Sequence, residues 1–296
     1  MDNGEEAIPG YSVKIERILA GIDLGPDTGK ILAYASLFAK ITGASLQLLS
    51  VLDYLVTPPA YLAPYIEDEK KIAEEKFRRW EERLAAYGVS AVKEIRVGRL
   101  AESFAAAAEK GKADMLVLGF KTHTFRRSSS EGLVKGLRMP VLVVRGERAE
   151  SADIGPLGIR KTLCPTDFSE TSSNAFRTAK ALAGLFSSEL TALHVVPSHI
   201  IEERLERKSH GDRAREDLLE RAKERLAGFL KNFGLEDSGV VREGDPYREI
   251  SAFASEEKAD LIVIGARGLS SLEGPLIGSV CDAVLKSSPC PVLVIH

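Results

Sequence analysis

The sequence predicts an α/β fold built as two tandem doubly wound domains, each with a five-stranded parallel sheet flanked by helices. Two observations predict this class. Short apolar runs rich in Val, Ile and Leu alternate with longer amphipathic stretches, as buried parallel strands alternate with crossover helices. The pattern then starts again near the middle of the chain. With 296 residues, the chain is long enough for two ordinary domains.

Five strands are predicted in the first half. They are Ile18–Ile22, Leu46–Leu52, Val92–Val97, Met115–Leu118 and Val141–Val144. The first predicted helix carries Ile31, Ala35, Phe38 and Ala39 on one face and stops at Gly43. The others are a charged stretch from about Glu67 to Tyr87, Ala101–Ala108, and a short segment before the last strand. Pro58, Pro59 and Pro64 predict a loop before the second helix. We expect Trp80, on that helix, to pack its ring against the sheet.

The second half repeats the first at a near-constant offset. Asp167 stands 144 residues after Asp23, and both follow the first strand of their unit. Gly265 stands 146 residues after Gly119, and both follow the fourth strand. An offset that varies so little over more than a hundred residues indicates a duplicated domain rather than a solenoid.

The predicted domains are 1–146 and 159–296, joined by a linker at 147–158. The linker region is rich in charge and contains Gly155-Pro156, a pair typical of connections. In open parallel sheets, ligands bind beyond the carboxyl ends of the strands, where the strand order reverses. We therefore expect a site at that edge of each domain.

Composition and charge argue against several classes of function. The net charge of −3 gives no electrostatic basis for binding nucleic acid or an anionic membrane surface. The acidic start, Met1–Glu6, has no apolar core and is not expected to be a signal peptide. No apolar run approaches the roughly 18 residues that span a bilayer.

The cysteines and histidines predict neither disulfides nor a metal site. Cys164, Cys281 and Cys290 do not form the pattern of a disulfide framework, which agrees with a reducing, cytoplasmic location. The histidines have no metal-ligand spacing with cysteines or carboxylates, so we expect no metal site built by the protein alone.

The stretch from Gly265 to Ser279 carries the strongest functional signal. Its spacing is Gly265-x2-Gly268-x9-Gly278-Ser279, between the apolar strand Leu261–Ile264 and a predicted helix start. Glycines let backbone N–H groups approach a ligand closely, and a helix N-terminus favours anions. The spacing matches neither a Walker loop nor the dinucleotide motif.

The loop resembles, position for position, the phosphate loop of ATP-binding members of the universal stress protein family. Residues 163–170 are similar to the first-strand signature of that family. The resemblance implies the strand order 3-2-1-4-5, which would bring Asp167 and Gly265 together at the switch point. It also implies ATP with Mg²⁺ as the ligand, and the sequence does not choose between ATP, ADP and AMP.

The resemblance implies nucleotide contacts for a set of residues in the second unit. These are Pro165, Thr166, Asp167, Val195, Ile264, Gly265, Arg267, Gly268, Gly278, Ser279 and Val280. Asp167 would accept hydrogen bonds from the adenosine, and the backbone of Val195 would contact adenine. Ser279 would offer its hydroxyl to the outer phosphates or to Mg²⁺. Arg267 is equally compatible with a solvated loop arginine.

Several neighbouring residues have structural interpretations. Ser169 is predicted as the N-cap of the helix after the first strand, and Gly244-Asp245-Pro246 as another helix start. We interpret His194 as a packed strand residue rather than a catalytic base. Cys281 lies one turn into a helix, where a redox sensor is the alternative to a small packing residue.

The first unit carries an altered copy of the loop. Asp23 and Gly119 are kept, but Thr122 stands where the second glycine is expected, and a side chain there would obstruct close approach of the backbone. We interpret this domain as a structural partner. A weaker second site at Asp23 and Gly119, helped by Lys121 and Arg126, stays open as an alternative.

The leading hypothesis is a stress-response or regulatory protein that binds ATP and Mg²⁺ in its second domain and acts through an unknown protein partner. The alternatives are a nucleotide-independent interaction protein of the same fold and a slow ATPase. No catalytic residues are identified, because neither a P-loop lysine nor a clear general base accompanies the loop. In the family the fifth strand mediates dimer contacts. This implies that the two halves form a pseudo-dimer within one chain, with a homodimer of chains left open.

Overall fold

A computed structural model describes residues 14–53, 59–120, 129–146, 149, 153–155, 157–206, 211–268 and 277–296. The strands are β1 (Arg17–Gly21), β2 (Ser45–Leu52), β3 (Ala91–Val97), β4 (Met115–Gly119), β5 (Val141–Val144), β6 (Lys161–Pro165), β7 (Glu189–Pro197), β8 (Gly239–Gly244), β9 (Leu261–Gly265) and β10 (Val292–Ile295). The helices are α1 (Thr28–Thr42), α2 (Pro59–Ala86), α3 (Leu100–Gly111), α4 (Ser129–Gly136), α5 (Glu170–Phe186), α6 (Ser198–Glu206), α7 (Gly211–Lys231), α8 (Pro246–Glu256) and α9 (Ser279–Ser287).

The strands form a single sheet in the order β3-β2-β1-β4-β5-β10-β9-β6-β7-β8. Within each half, neighbouring strands are parallel. Each half therefore has the strand order 3-2-1-4-5, which confirms the order implied by the family resemblance. The central strands β5, β9 and β10 are buried along their whole length, as expected where helices cover both faces.

β5 and β10 join the two halves by antiparallel pairing. Val292 lies opposite Val143, and Val294 lies opposite Val141. Because this pairing reverses the strand direction, the carboxyl ends of β1 to β5 and those of β6 to β10 lie at opposite edges of the sheet. The pairing of the two fifth strands, expected from the resemblance, is present. The amino end of β5 consequently lies beside the carboxyl end of β10.

Side chains next to β5 also connect the halves. Arg145 donates a hydrogen bond to the carbonyl oxygen of Leu285, near the end of α9. Its guanidinium lies 5.4 Å from the ring centroid of Phe120. Gly146, at φ +79°, passes so close to the backbone of Pro289 that a Cβ would not fit. The connection to the second half thus starts in tight contact with it.

Two hydrophobic cores cover the two faces of the sheet. One lies under α1, α2, α5 and α7, and the other under α3, α4, α8 and α9. Each core takes residues from both halves, with Phe77 and Phe176 in the first and Phe104 and Phe253 in the second. Full burial of such a side chain stabilises the folded state by about 1.5–3 kcal/mol. The duplicated units therefore share their cores.

An aspartate before the fourth strand of each half fixes the start of the first strand. The carboxylate of Asp114 accepts the N–H groups of residues 16 and 17, each at 3.0 Å. The carboxylate of Asp260 accepts those of residues 160 and 161, at 2.9 and 3.0 Å. These clamps align the first strand with the fourth, and the carboxyl ends of those two strands carry the candidate sites.

The second helix begins earlier than predicted. α2 starts at Pro59 rather than near Glu67, so Pro59 and Pro64 lie in a helix, and the loop expected there is wrong. Pro58 lies outside the described residues. Proline is tolerated in a first helical turn because the N–H groups there have no intrahelical acceptor. Pro64, one turn later, leaves a single helical bond unmade.

Trp80 packs against the first core and against α1. Its ring lies 3.1 Å from the position that a Cβ on Gly29 would take. The guanidinium of Arg83 lies 4.8 Å from the Trp80 ring centroid. Within the described part of the chain, no helix is both long and apolar enough to cross a membrane.

Candidate functional site

The first strand of the second half ends in a hydrogen-bonded turn that fixes Asp167. Thr166 donates its N–H to the carbonyl oxygen of Leu193 at 2.9 Å, and its Oγ1 accepts the N–H of Phe168 at 3.1 Å. Oδ1 of Asp167 accepts the N–H of Ser169 at 3.0 Å. Such side-chain to backbone bonds stabilise a turn locally. They hold the half-buried Asp167 carboxylate at the carboxyl edge of the sheet.

The same turn is tied to the start of α5. Oγ of Ser169 accepts the N–H of Ser172 at 3.1 Å, which confirms the predicted N-cap. The Ser172 hydroxyl in turn lies 3.1 Å from that of Thr166. Pro165 and Thr166 are both buried, so they support the turn from beneath.

Gly268 lies directly against Asp167. A Cβ on Gly268 would stand 2.5 Å from Oδ2 of Asp167, closer than real side chains come. Gly265 lies against the first turn of α5, where a Cβ would be 3.1 Å from the carbonyl group of Thr171. The two glycines therefore allow the chain after β9 to pass close to the Asp167 turn. The proximity expected from the strand order is present.

Both ends of the glycine loop are held at the sheet edge. Gly278 donates its N–H to the carbonyl oxygen of Ala266 at 2.7 Å, and Ala266 donates to Ile295 at 2.7 Å. Ile264 is buried in β9 and belongs to the second core. Residues 269–276, between the two ends, lie outside the described residues. The loop base thus joins β9, β10 and the start of α9.

The N-terminus of α9 has no side-chain cap among the described residues. Ser279 is its first residue and is exposed, and Gly278 precedes it without a side-chain cap. The first N–H groups of a helix have no intrahelical acceptor and carry a partial positive charge. Asp282, in the same turn, pairs with Lys286 at 2.6 Å, which offsets its negative charge. An anion here would meet the N–H groups of Ser279 and Val280.

β7 extends beyond the end of β6, and at Val195 no strand of the described residues pairs with the edge of β7 that faces β6. The β6–β7 pairing ends with Pro165 opposite Leu193, whereas β7 continues to Pro197. The backbone polar groups of alternate residues in a strand point to the same side. Since the Leu193 carbonyl faces β6, the N–H and C=O of Val195 face the same way, past the end of β6. The Val195 side chain is buried, so its backbone is the part that faces the site.

His194 packs beside the Asp167 turn. Its Nδ1–H donates to the carbonyl oxygen of Thr166 at 2.8 Å, and its ring lies 4.4 Å from that of Phe168. Burial lowers the pKa of His194, and the charge of Arg225 lowers it further. The hydrogen bond to Thr166 and the charge of Asp167 raise the pKa, but the net shift is downward. A neutral, hydrogen-bonded imidazole matches the predicted packing role.

Arg225 is a site neighbour that sequence reasoning missed. It belongs to α7, and its guanidinium lies 4.3 Å from the ring centroid of Phe168. No local motif marks it, because it reaches Phe168 only through the packing of α7 on the sheet.

Cys281 is a packing residue. It is buried in the second core, and burial, with a contribution from the charge of Asp282, raises the pKa of its thiol to about 12. A helix N-terminus can lower a thiol pKa, but here burial dominates. The arrangement does not favour the redox-sensor alternative.

The basic residues beside the loop base are Arg267, half-buried after β9, and His296, half-buried after β10. Burial lowers the pKa of His296, and the charges of Arg267 and Arg138 lower it further. Among the described residues, no group of three or more His, Cys, Asp or Glu side chains is placed to hold a metal ion.

The first half reproduces the turn that follows its first strand, in a different environment. Oδ1 of Asp23 accepts the N–H of Gly25 at 2.9 Å, and Leu24 has φ +55°, as its counterpart Phe168 has φ +66°. Asp23 is exposed, whereas Asp167 is half-buried. The turn after the first strand is therefore a shared backbone feature, with a different environment for its carboxylate.

The fourth strand of the first half ends beside different neighbours. A Cβ on Gly119 would lie 2.9 Å from Cδ1 of Ile31. The bulky Phe120 stands at the position of the small, buried Ala266. Thr122, Lys121 and Arg126 lie outside the described residues, so their predicted effects stay predictions.

Comparisons with known proteins agree with the duplication. A family model described as the universal stress protein family matches residues 14–145 and again residues 158–296. A universal stress protein of Methanocaldococcus jannaschii is 32% identical over 152 residues, which cover 46% of this chain and 94% of the relative. One from Bacillus subtilis is 35% identical over 153 residues, covering 46% of this chain and 98% of the relative.

A solved structure that aligns over almost the whole chain shows the same fold. A universal stress protein of Archaeoglobus fulgidus superposes with a TM-score of 0.71 at 22% identity, covering 96% of this chain and 98% of that chain. Another solved structure is a universal stress protein in complex with cAMP, with a TM-score of 0.36, 24% identity and 47% of this chain covered, against 99% of its own.

Proposed function

The chain belongs to the universal stress protein family, and from that premise we propose that its second domain binds an adenine nucleotide. The observation that carries the proposal is the contact of Gly268 with Asp167. It places a glycine of the proposed phosphate loop beside the carboxylate at the end of β6. ATP with Mg²⁺ is the proposed ligand, and ADP and AMP are the competing ones. The nucleotide would act as a regulatory signal in a stress response.

The adenosine end of the ligand is assigned to the carboxyl ends of β6 and β7. The Asp167 carboxylate, held by Ser169, is an acceptor suited to the hydroxyl groups of a ribose. The N–H and C=O of Val195, beyond the last pair with β6, offer one donor and one acceptor to a base. These groups can recognise a nucleoside without further side chains.

The phosphates are assigned to the loop base and the start of α9. Small residues line the space there: a Cβ on Gly278 would reach ordinary contact with the Ala266 carbonyl oxygen at 3.5 Å and the Gly268 nitrogen at 3.7 Å, so only a larger side chain would fill the space. The N–H groups of Ser279 and Val280 supply the partial positive charge that phosphate favours. Mg²⁺ would enter with the phosphates, neutralise part of their charge, and meet the Ser279 hydroxyl.

The first domain is proposed as a structural and regulatory partner. Its β5 completes the sheet beside β10, and its helices share both cores with the second domain. Binding of a nucleotide in the second domain would therefore affect the first domain through the shared sheet and cores.

The test begins with the ligand that the purified protein carries. The chain is denatured, and the released small molecules are identified by mass spectrometry. Calorimetric titration of the ligand-free protein with ATP, ADP, AMP and cAMP, with and without Mg²⁺, then ranks the ligands. Absence of any adenine nucleotide in both experiments would refute the proposal and favour a nucleotide-independent interaction protein.

A matched pair of variants locates the site. Gly278→Val places a branched side chain against Ala266 and Gly268 and should abolish binding. Gly278→Ala adds a methyl group at ordinary contact distances and should keep most of it. Equal affinity in the two variants would place the nucleotide elsewhere. Phosphate release at steady state, compared with Asp167→Asn, tests the slow-ATPase alternative.

A further inference from the structure

Three basic side chains lie along the carboxyl edge of the second domain, and one of them belongs to the first domain. We call them the basic row: Arg267 after β9, His296 after β10, and Arg138 before β5. The antiparallel register, with Val294 opposite Val141, continues to place residue 296 beside residue 139. Neighbouring strands lie about 4.8 Å apart, so the three chain positions are adjacent along one edge.

An arginine of the first domain affects a histidine of the second domain electrostatically. The guanidinium groups of Arg267 and Arg138 both lie close enough to His296 to lower the pKa of its ring, in addition to the effect of burial. Nε2 of His296 is buried and has no hydrogen-bond partner in the described part of the chain. Arg138 is exposed and Arg267 is half-buried.

No acidic side chain among the described residues pairs with Arg138 or Arg267. Elsewhere in the second domain, arginines are paired: Arg242 with Glu256 at 2.5 Å and Arg215 with Glu243 at 2.8 Å. The two arginines therefore supply the positive charge of the row, because burial and their own charges lower the pKa of His296. Like charges placed side by side repel each other, and an anion bound between them removes that cost.

The row is adjacent to the start of α9. Two consecutive backbone hydrogen bonds of 2.7 Å connect Gly278 to Ala266 and Ala266 to Ile295. His296 follows Ile295 directly, and Arg267 follows Ala266. The helix N-terminus and the row thus belong to one edge, and the row extends toward the first domain.

We propose that the basic row binds the outer phosphates of the nucleotide held by the second domain, with Arg138 as the contribution of the first domain. This inference rests on the proposed function and deepens it, because the row discriminates by phosphate number. A monophosphate leaves the row empty, whereas a triphosphate extends to it. The first domain then responds to the number of phosphates through its own arginine.

The test compares Arg138→Gln with Arg99→Gln, a matched control on the same domain. Arg99 is exposed at the start of α3 and pairs only with Glu102 among the described residues. Calorimetry with ATP and with AMP should show that Arg138→Gln weakens ATP binding about three- to tenfold and AMP binding less than about twofold. Arg99→Gln should match the wild type. Raising the salt to about 0.5 M should shrink the difference by screening.

A ligand-free measurement checks the placement of the row. The pKa of the His296 ring, followed by NMR, should rise in Arg138→Gln because a nearby positive charge is removed. If that pKa does not move, or if ATP and AMP binding change equally or not at all, the inference is overturned. If the inference fails but the wild-type protein binds ATP, the proposed function still stands. If the wild-type protein binds no nucleotide, the proposed function and this inference are both refuted.

Discussion

Oδ2 of Asp167 lies 2.5 Å from the position that a Cβ would take on Gly268. Both residues belong to the second domain, one after β6 and the other after β9, and they meet because those strands are neighbours in the sheet. The carboxylate is held in place by the N–H of Ser169. A side chain at residue 268 would therefore have to displace it.

Gly268→Ala should weaken nucleotide binding about tenfold or more, because its methyl group would push the Asp167 carboxylate away from the position that the Ser169 N–H stabilises. Calorimetric titration with ATP measures the effect. Gly228→Ala is the matched control, since a Cβ on Gly228, within α7, meets nothing within 4 Å. The control should bind as wild type and gain about 0.5–1 kcal/mol of stability. Wild-type affinity in Gly268→Ala would contradict the assigned site.

Ser169→Ala should lower the free energy of unfolding by about 1 kcal/mol, because the N–H of Ser172 loses its capping acceptor. Urea denaturation measures this loss. Asp245→Ala is the comparison, since Asp245 occupies the N-cap of α8 without a capping hydrogen bond from its side chain. Asp245→Ala should lower the free energy of unfolding clearly less than Ser169→Ala. A larger loss for Asp245→Ala would show that the capping geometry does not determine the stability of these helices.

The thiols should be inert in the folded protein. Cys164, Cys281 and Cys290 are all buried, and burial raises the pKa of Cys164 and brings that of Cys281 to about 12. At about pH 8, only about one Cys281 side chain in ten thousand is a thiolate. A chromogenic disulfide reagent should therefore react slowly until denaturant is added. Rapid reaction of one thiol in the native state would reinstate a redox role.

Stability should decrease as the pH falls below about 6.5. The pKa values of His194 and His296 are lowered in the folded state, mainly by burial. Between the unfolded and folded pKa values, the unfolded chain therefore binds more protons than the folded chain. Stability from this source is complete above the unfolded pKa and is lost as the pH falls through the folded values. Each unit of difference in pKa corresponds to about 1.4 kcal/mol.

Urea midpoints between about pH 7 and pH 5 test this expectation. His194→Asn keeps an N–H near the Thr166 carbonyl but cannot titrate in this range, so the decline should become shallower. His199→Asn, at an exposed position, serves as the control. Equal stability at both ends of the range in the wild type would contradict the prediction.

The central strands could be predicted closely because they are buried on both faces. β4 and β9 appear in the sequence as uninterrupted apolar runs, and their observed bounds extend the predicted runs only by the terminal glycine. The start of α2 could not be predicted in the same way. Proline ordinarily signals a loop, yet near a helix N-terminus it costs little, and only the folded chain shows which case applies.

The residues of the candidate site also differ in how far the sequence could predict them. Asp167 and Gly268 lie in local motifs, and the family strand order was enough to predict that these motifs meet. Arg225 and Arg138 have no such motif. Arg225 depends on the packing of α7, and Arg138 depends on the register between β5 and β10, both of which are properties of the assembled sheet.

The antiparallel pairing of β5 with β10 also bears on how such a protein can diverge. In a dimer of identical chains, any change in the phosphate loop appears in both copies, so neither can specialise alone. Here the two fifth strands belong to one chain, so their pairing is independent of protein concentration and each loop mutates separately. Thr122 can replace a glycine in one half while Gly268 is kept in the other. Fusion of the two copies thus allows one loop to change while its domain still completes the sheet.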